Sequence, residues 1–208
     1  MKETASNGRS SASKFFAIIS RMKYIERWGL MRNTIRENLS EHCLETAFIA
    51  HALALYRNVR FGGNVDPERC AVLAMYHDAA EIITGDMPTP VKYFNPEIKN
   101  EYSVVEKAAE DKLISCLPED LRSYYSDILH REEKDSELWV LVKAADKLSA
   151  LIKCIEERQM GNNDFIDAEK NTLRSLHAMD LPEAEEFLRE FIPSYDMENT
   201  LDSLLSVS

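Results

Sequence analysis

A chain of 208 residues, 45% hydrophobic and 29% charged, has the makings of one globular domain with a sizeable core. Its formal net charge of −11 excludes a protein built to grip long DNA or RNA, which needs a broad basic surface. No apolar run approaches the roughly 18 residues of a membrane span, and no small-residue cleavage site follows the short run Phe15–Ile19, so an intracellular, cytoplasmic protein is expected.

Residues 1–13 are polar and rich in Ser, Asn and Gly, the composition of a disordered tail. A helical pattern begins at Lys14, with Phe15, Phe16, Ile18, Ile19 and Met22 at its apolar positions. It breaks over residues 27–38, which carry Arg27, Arg32 and Arg36 beside Trp28. Ser40 predicts the N-cap of a helix running to about residue 56, with Glu41 suited to its first turn. Phe61-Gly62-Gly63-Asn64 reads as a turn. Asp66-Pro67 is a helix start, an N-cap acid followed by proline at the first helical position. That helix is expected to run unbroken through His77-Asp78 to about Ile83. Pro88, Pro90 and Pro96 stiffen the loop that follows. Further helices are predicted over 97–116, 118–129, 136–159, 164–177 and 182–191. No segment alternates with a period of two, so no sheet is expected. The fold class is all-α, a single irregular helical domain over 14–195 with a C-terminal tail at 196–208. The four cysteines, Cys43, Cys70, Cys116 and Cys154, form no C-x-x-C pair and read as free buried thiols of a reducing compartment.

The chain is organised around His77-Asp78, adjacent polar residues inside an apolar run. Burying such a pair is costly without compensation, and a metal ion can take an imidazole nitrogen and a carboxylate oxygen together. On a continuous helix Glu81 would sit over His77. Five histidines are present. His42 and His51 are nine residues apart on one predicted helix, hence on opposite faces, and only one of them can look into a shared site. His42 borders the Arg-rich segment and is the better candidate. His51, flanked by Ile49, Ala50, Ala52 and Leu53, reads as a packing residue. His130 and His177 read as solvated. Asp146, among small and aliphatic residues, is either a ligand or the ion-pair partner of Lys143 or Lys147.

His42, His77-Asp78 and Asp146 together resemble the H…HD…D pattern of the HD-domain phosphohydrolases, an all-α superfamily. More specifically, Arg27-Trp28, Asn38-Leu39-Ser40-Glu41-His42, Tyr76-His77-Asp78-Ala79-Ala80-Glu81, the loop from Thr84 through Gly85-Asp86-Met87-Pro88-Thr89-Pro90 to Phe94, and Lys143-Ala144-Ala145-Asp146 resemble the bacterial HD-domain 5′-deoxynucleotidases. One departure is Met87, where leucine is expected, a nearly volume-conserving change. The resemblance implies hydrolysis of deoxyribonucleoside 5′-monophosphates by a homodimer, with no nucleic-acid polymer or membrane as partner. It makes His42, His77, Asp78 and Asp146 the ligands of one divalent transition metal per chain. Cobalt, manganese, iron, zinc or copper suits such a mixed nitrogen and oxygen set better than magnesium. One metal is expected because His130 is the sole histidine between the HD pair and Asp146.

The same resemblance gives Glu81 and Arg27 catalytic roles, Glu81 orienting the attacking water and Arg27 gripping phosphate through its guanidinium fork. Trp28, Asp86, Met87, Pro88 and Thr89 are then substrate-binding, alongside Arg27, His42 and Asp146. The competing readings are an HD phosphohydrolase acting on a triphosphate or alarmone, and a non-catalytic metal- or nucleotide-binding protein. A triphosphatase would need a further basic cluster, and none is recognisable along the sequence.

Overall fold

The computed structural model describes residues 12–92 and 94–196. The tails expected at 1–13 and 196–208 therefore lie almost wholly outside the described residues. The two described residues nearest the domain are docked. Ser13 Oγ donates to the Cys116 carbonyl at 2.7 Å, and Arg158 donates to Asp196 at 2.7 Å. In chain order the helices are α1 (Phe15–Ile19), α2 (Leu39–Arg60), α3 (Pro67–Tyr76), α4 (Glu81–Thr84), α5 (Thr89–Lys92), α6 (Pro96–Ser115), α7 (Glu119–Leu129), α8 (Ser136–Gln159), α9 (Ile166–His177), α10 (Pro182–Glu190) and α11 (Ile192–Tyr195). Among the described residues the strand-like element is one isolated antiparallel bridge between Glu26 and Asn38. No described helix is long and apolar enough to cross a membrane.

The centre is α2 packed on α3 and α8. Ala47, Ala50, Leu53 and Ala54 of α2 meet Leu73 and Ala74 of α3 and Leu141, Ala144, Ala145 and Leu148 of α8. Alanine at these crossings lets the helix axes approach, so polar side chains on facing helices can touch. Cys43, Cys70 and Cys154 are buried free thiols, whereas Cys116 at the end of α6 is half-exposed.

Two boundaries differ from the sequence reading, each for a visible reason. The N-cap of α2 is Asn38, not Ser40. Its side chain accepts from the amides of Ser40 and Glu41 while Glu41 bonds back to the Asn38 amide, a complete capping box. The bridge to Glu26 and the bond from Leu39 N to Ile25 O at 2.9 Å hold Asn38 extended, so the helix starts at Leu39. The second difference is that α3 stops at Tyr76. Residues 77–80 form a tight turn with i to i−3 bonds, Ala79 N to Tyr76 O at 3.0 Å and Glu81 N to Asp78 O at 2.9 Å. Residues three apart eclipse in such a turn. Glu81 therefore falls in register with Asp78 rather than over His77. Gly85, at φ +76°, then ends α4 with its amide on the Glu81 carbonyl at 2.8 Å.

The irregular segment 25–38 is anchored to the far end of α8. The Glu157 carboxylate, fully buried, accepts from the amides of Thr34 (2.9 Å) and Ile35 (3.0 Å), from Lys153 Nζ (2.5 Å) and from Asn162 (2.7 Å). Lys153 also donates to the Ile35 carbonyl. Burial alone would raise the Glu157 pKa, but Lys153, Asn162 and the two loop amides bring it down to about 2. A carboxylate whose folded pKa is depressed adds stability above its unfolded value, and that stability is lost as pH falls through the folded pKa. Glu157→Ala is expected to cost about 3–5 kcal/mol, because it leaves a buried ammonium and two amides unpaired. Glu157→Gln should flatten the loss of stability on acidification from 4.5 toward 2. Urea unfolding across that range measures both, and a wild-type midpoint for Glu157→Ala would remove this anchor.

Candidate active site

His42 on α2, His77 and Asp78 in the turn after α3, and Asp146 on α8 converge. His42 Nε2 lies 3.2 Å from Asp146 Oδ1 and 3.7 Å from Asp78 Oδ2. His77 Nε2 lies 3.1 Å from Asp78 Oδ2 and 4.0 Å from Asp146 Oδ1. Asp146 thus turns to the two imidazoles, and the alternative pairing with Lys143 or Lys147 is not what the structure contains. It keeps 38% of its side-chain surface exposed, so one edge of the cluster opens outward.

The outer nitrogens of both rings are committed elsewhere, and this sets their tautomers. His77 Nδ1 lies 2.7 Å from the Ala74 carbonyl, which can only accept, so Nδ1 carries the hydrogen. Ser149 Oγ gives its own hydrogen to Glu45 at 2.5 Å and accepts from His42 Nδ1 at 3.0 Å. Asp146 and Ser149, three apart on α8, thereby hold opposite sides of one imidazole. Each Nε2 is thereby free to offer a lone pair toward the carboxylates whenever it is unprotonated, and both are buried with no hydrogen-bond partner among the described residues. Buried polar atoms rarely stay unsatisfied. A divalent cation would satisfy both, and His42, His77 and Asp146 each offer a ligand atom within 4.8 Å of the others. The donor set fits a transition metal. Cys43 Sγ lies 3.8 Å from His77 Nδ1, and Cys43, His77 and Asp78 form a second group whose ligand atoms lie within 4.8 Å of one another.

The two imidazoles titrate in opposite directions. Burial and the Arg27 charge push His42 down. Burial is the largest single influence on His77 and acts to lower it, but Asp78 and Cys43 together outweigh it and leave His77 well above the usual range. A proton between His77 and Asp78 is the competitor a metal must displace. Glu81, 5% exposed, is lifted to about 9 by burial and by the charges of Asp78 and Asp86. Its Oε2 has no hydrogen-bond partner among the described residues. A cation held beside it would favour its ionised form.

Arg27 and Trp28 reach the same place through one carboxylate oxygen. Glu37 Oε2 accepts from Arg27 Nη1 at 2.9 Å and from Trp28 Nε1 at 2.9 Å. The other arm of the guanidinium, Nη2, is 3.9 Å from Asp146. Trp28 sits at φ +61°, a left-handed conformation costly for a bulky residue. The Asp86 carboxylate holds it there by accepting from its amide at 3.2 Å. Arg27, Trp28 and Asp86 line a cleft of about 610 Å³ together with Asp78, Glu81 and Asp146 and with Met87, Pro88 and Thr89 of the loop. That volume suits a small organic ligand.

Other candidates lie elsewhere. His51 is half-exposed on the outer face of α2, so it does not pack in the core as expected. His130 is not freely solvated: its Nε2 is 3.1 Å from Asp111 and its Nδ1 3.1 Å from Ser126. His177, exposed, pairs with Glu185 at 2.7 Å. The sequence reading missed Glu37, Ser149 and Glu45, and it missed the wall formed by Ala168, Asn171, Thr172 and Ser175 of α9. The signal for that wall was a run of small and polar residues at helical spacing. It also missed the basic lining, since Lys92, Lys143 and Lys147 all border the cleft.

An all-helical domain that closes an adjacent His-Asp pair, a preceding histidine and a later aspartate into one cluster is of the HD-domain phosphohydrolase type. In the crystal structure of an HD-domain phosphohydrolase from Listeria innocua the same fold recurs, with a TM-score of 0.76 at 25% identity over 91% of this chain and 92% of that one. An HD phosphohydrolase of cyanophage S-2L, solved with dA and one catalytic Zn²⁺ ion, shares the fold at a TM-score of 0.63 and 18% identity over 94% and 99% of the two chains. The chain belongs to the family described as 5′-deoxynucleotidase YfbR-like, whose family model matches residues 14–195. A 5′-deoxynucleotidase from Photobacterium profundum is 48% identical over 92% of this chain and 98% of its own length. One from Yersinia pestis is 49% identical over 92% and 99%.

Ser149→Ala should weaken affinity for divalent metal by about 10–100-fold, the usual effect of losing the group that orients a histidine ligand. Competition against a chelating dye reads this directly. Unchanged affinity in a folded variant would show that Ser149 does not set the His42 tautomer.

Proposed function

We propose that this protein is a metal-dependent 5′-deoxynucleotidase, cleaving deoxyribonucleoside 5′-monophosphates to deoxynucleoside and phosphate. The observation that carries the reading is the convergence of His42, His77, Asp78 and Asp146 beside Arg27 and Glu81, at the edge of a nucleotide-sized cleft. In this reading the four side chains hold one divalent transition metal, with cobalt, manganese, iron, zinc and copper as candidates. A divalent ion there supplies Lewis acidity toward a phosphate oxygen and lowers the pKa of nearby water.

The protein's own groups do the rest. Glu81, buried beside the cluster, would in its ionised form take a proton from the attacking water. Arg27 grips the phosphate with the arm that Glu37 leaves free and stabilises charge as the ester bond breaks. Trp28 offers an apolar face to the sugar or base, its indole already fixed by Glu37. One oxygen of Asp86 is committed to the Trp28 amide, leaving the other for a sugar hydroxyl, with Thr89 beside it. Pro88 and Met87 shape the wall that leaves the ribose 2′-hydroxyl without a partner.

Phosphate release from a panel of deoxy- and ribonucleoside monophosphates and triphosphates, with metals restored one at a time after chelation, tests this. Deoxynucleoside monophosphates should be preferred, Glu81→Gln should lose about 10²-fold or more in kcat while keeping its metal, and one ion should be held per chain. Release of pyrophosphate or triphosphate instead would move the protein to another HD phosphohydrolase activity.

A cytoplasmic homodimer belongs to the same reading. Its supports are the unpaired cysteines and an exposed apolar stripe of Leu44, Phe48, Leu55 and Val59 along one side of α2. Sedimentation at micromolar concentration should give twice the chain mass, and a monomer there would retire the dimer.

A further inference from the structure

Lys143, Asp146, Lys147 and Ala150 fall at i, i+3, i+4 and i+7 of α8 and all border the cleft. They form one stripe, with the candidate ligand Asp146 between two lysines. Like charges at i and i+4 repel, and in a chain of net charge −11 carboxylates to relieve them are abundant. None is used. Lys92 bonds Glu106 at 2.8 Å, Lys153 bonds Glu157 at 2.5 Å, and Lys134 bonds Asp127. Among the described residues, Lys143 and Lys147 have no carboxylate within 4.0 Å of their ammonium groups.

The other positive groups at the cleft are already balanced. Arg27 is neutralised by Glu37 and Lys92 by Glu106, and a divalent ion would be neutralised by Asp78 and Asp146. Asp86 and, once ionised, Glu81 add negative charge. Lys143 and Lys147 are therefore the positive groups of the cleft that no carboxylate among the described residues offsets.

We propose that Lys143 and Lys147 form the anion-binding wall of the cleft, attracting the nucleotide's phosphate dianion and retaining inorganic phosphate after cleavage. This rests on the nucleotidase reading for its substrate, but the anion site itself does not. Long-range attraction of this kind raises capture by about 10-fold or more and weakens with salt. A group that holds substrate and transition state equally changes KM and leaves kcat alone.

The test is the Lys143→Gln/Lys147→Gln double variant with each single variant, compared with Lys170→Gln, an exposed lysine outside the cleft. With metal-loaded protein, KM for a deoxynucleoside monophosphate should rise by about 10-fold, with kcat within about 2-fold. The inhibition constant of inorganic phosphate should rise in parallel, and inhibition by the uncharged deoxynucleoside should not change. The salt dependence of kcat/KM should flatten in the double variant and persist in Lys170→Gln. Calorimetric titration with inorganic phosphate gives the same comparison without turnover, so it decides the anion site even if the wild type does not hydrolyse the monophosphate. A KM and phosphate affinity no different from those of Lys170→Gln would overturn the proposal. So would loss of bound metal in the double variant, which would assign the lysines to the upkeep of Asp146.

Discussion

Two buried imidazole nitrogens that face two carboxylates and find no hydrogen bond among the described residues are the constraint on which this structure turns. Each ring is fixed from behind, His77 by the Ala74 carbonyl and His42 by Ser149 and Glu45. Neither can rotate to satisfy its inner nitrogen without abandoning the outer one. Such an arrangement is costly in a domain interior unless a cation or a proton completes it. The surrounding packing accepts that cost because alanines bring α2, α3 and α8 close enough to hold the four side chains from three directions.

α8 works as the spine of the molecule. Along its length it presents Lys143 to the cleft, Asp146 to the two histidines, Ser149 to the back of His42 and Glu157 to the amides of the segment that carries Arg27 and Trp28. Residues on one rigid helix keep fixed spacing, so the cluster and the segment that carries Arg27 and Trp28 are set against a common ruler. The strained backbone of Trp28 is the local sign of this: it persists because Asp86 and Glu37 hold the residue from two sides.

Most helices were legible because periodicity and caps are local signals, and Asp66-Pro67 starts α3 where expected, with the Asp66 side chain accepting from the Arg69 amide. The misread places are those where distant contacts override local preference. Ser40 is a good cap by type, but the bridge to Glu26 delivers the role to Asn38. Apolar periodicity runs straight through His77, yet the backbone tightens there and moves Glu81 into register with Asp78. His51 has apolar neighbours in sequence but lies on the outer side of its helix, since α3 and α8 both pack against the other side. The basic residues of the cleft looked scattered because Lys92 comes from one loop helix and Lys143 and Lys147 from another element entirely.

By itself the order of residues determined an all-helical domain and the candidates His42, His77, Asp78 and Asp146, because residue type and helical spacing are properties of short stretches. The tertiary structure alone decided which nitrogen of His42 is free, since Ser149 lies 107 residues further along the chain. It alone decided that Glu37 joins Arg27 to Trp28, that α9 lines the cleft, and that two lysines there meet no carboxylate among the described residues. Those outcomes depend on which side chains meet across helices, and no local pattern encodes a meeting.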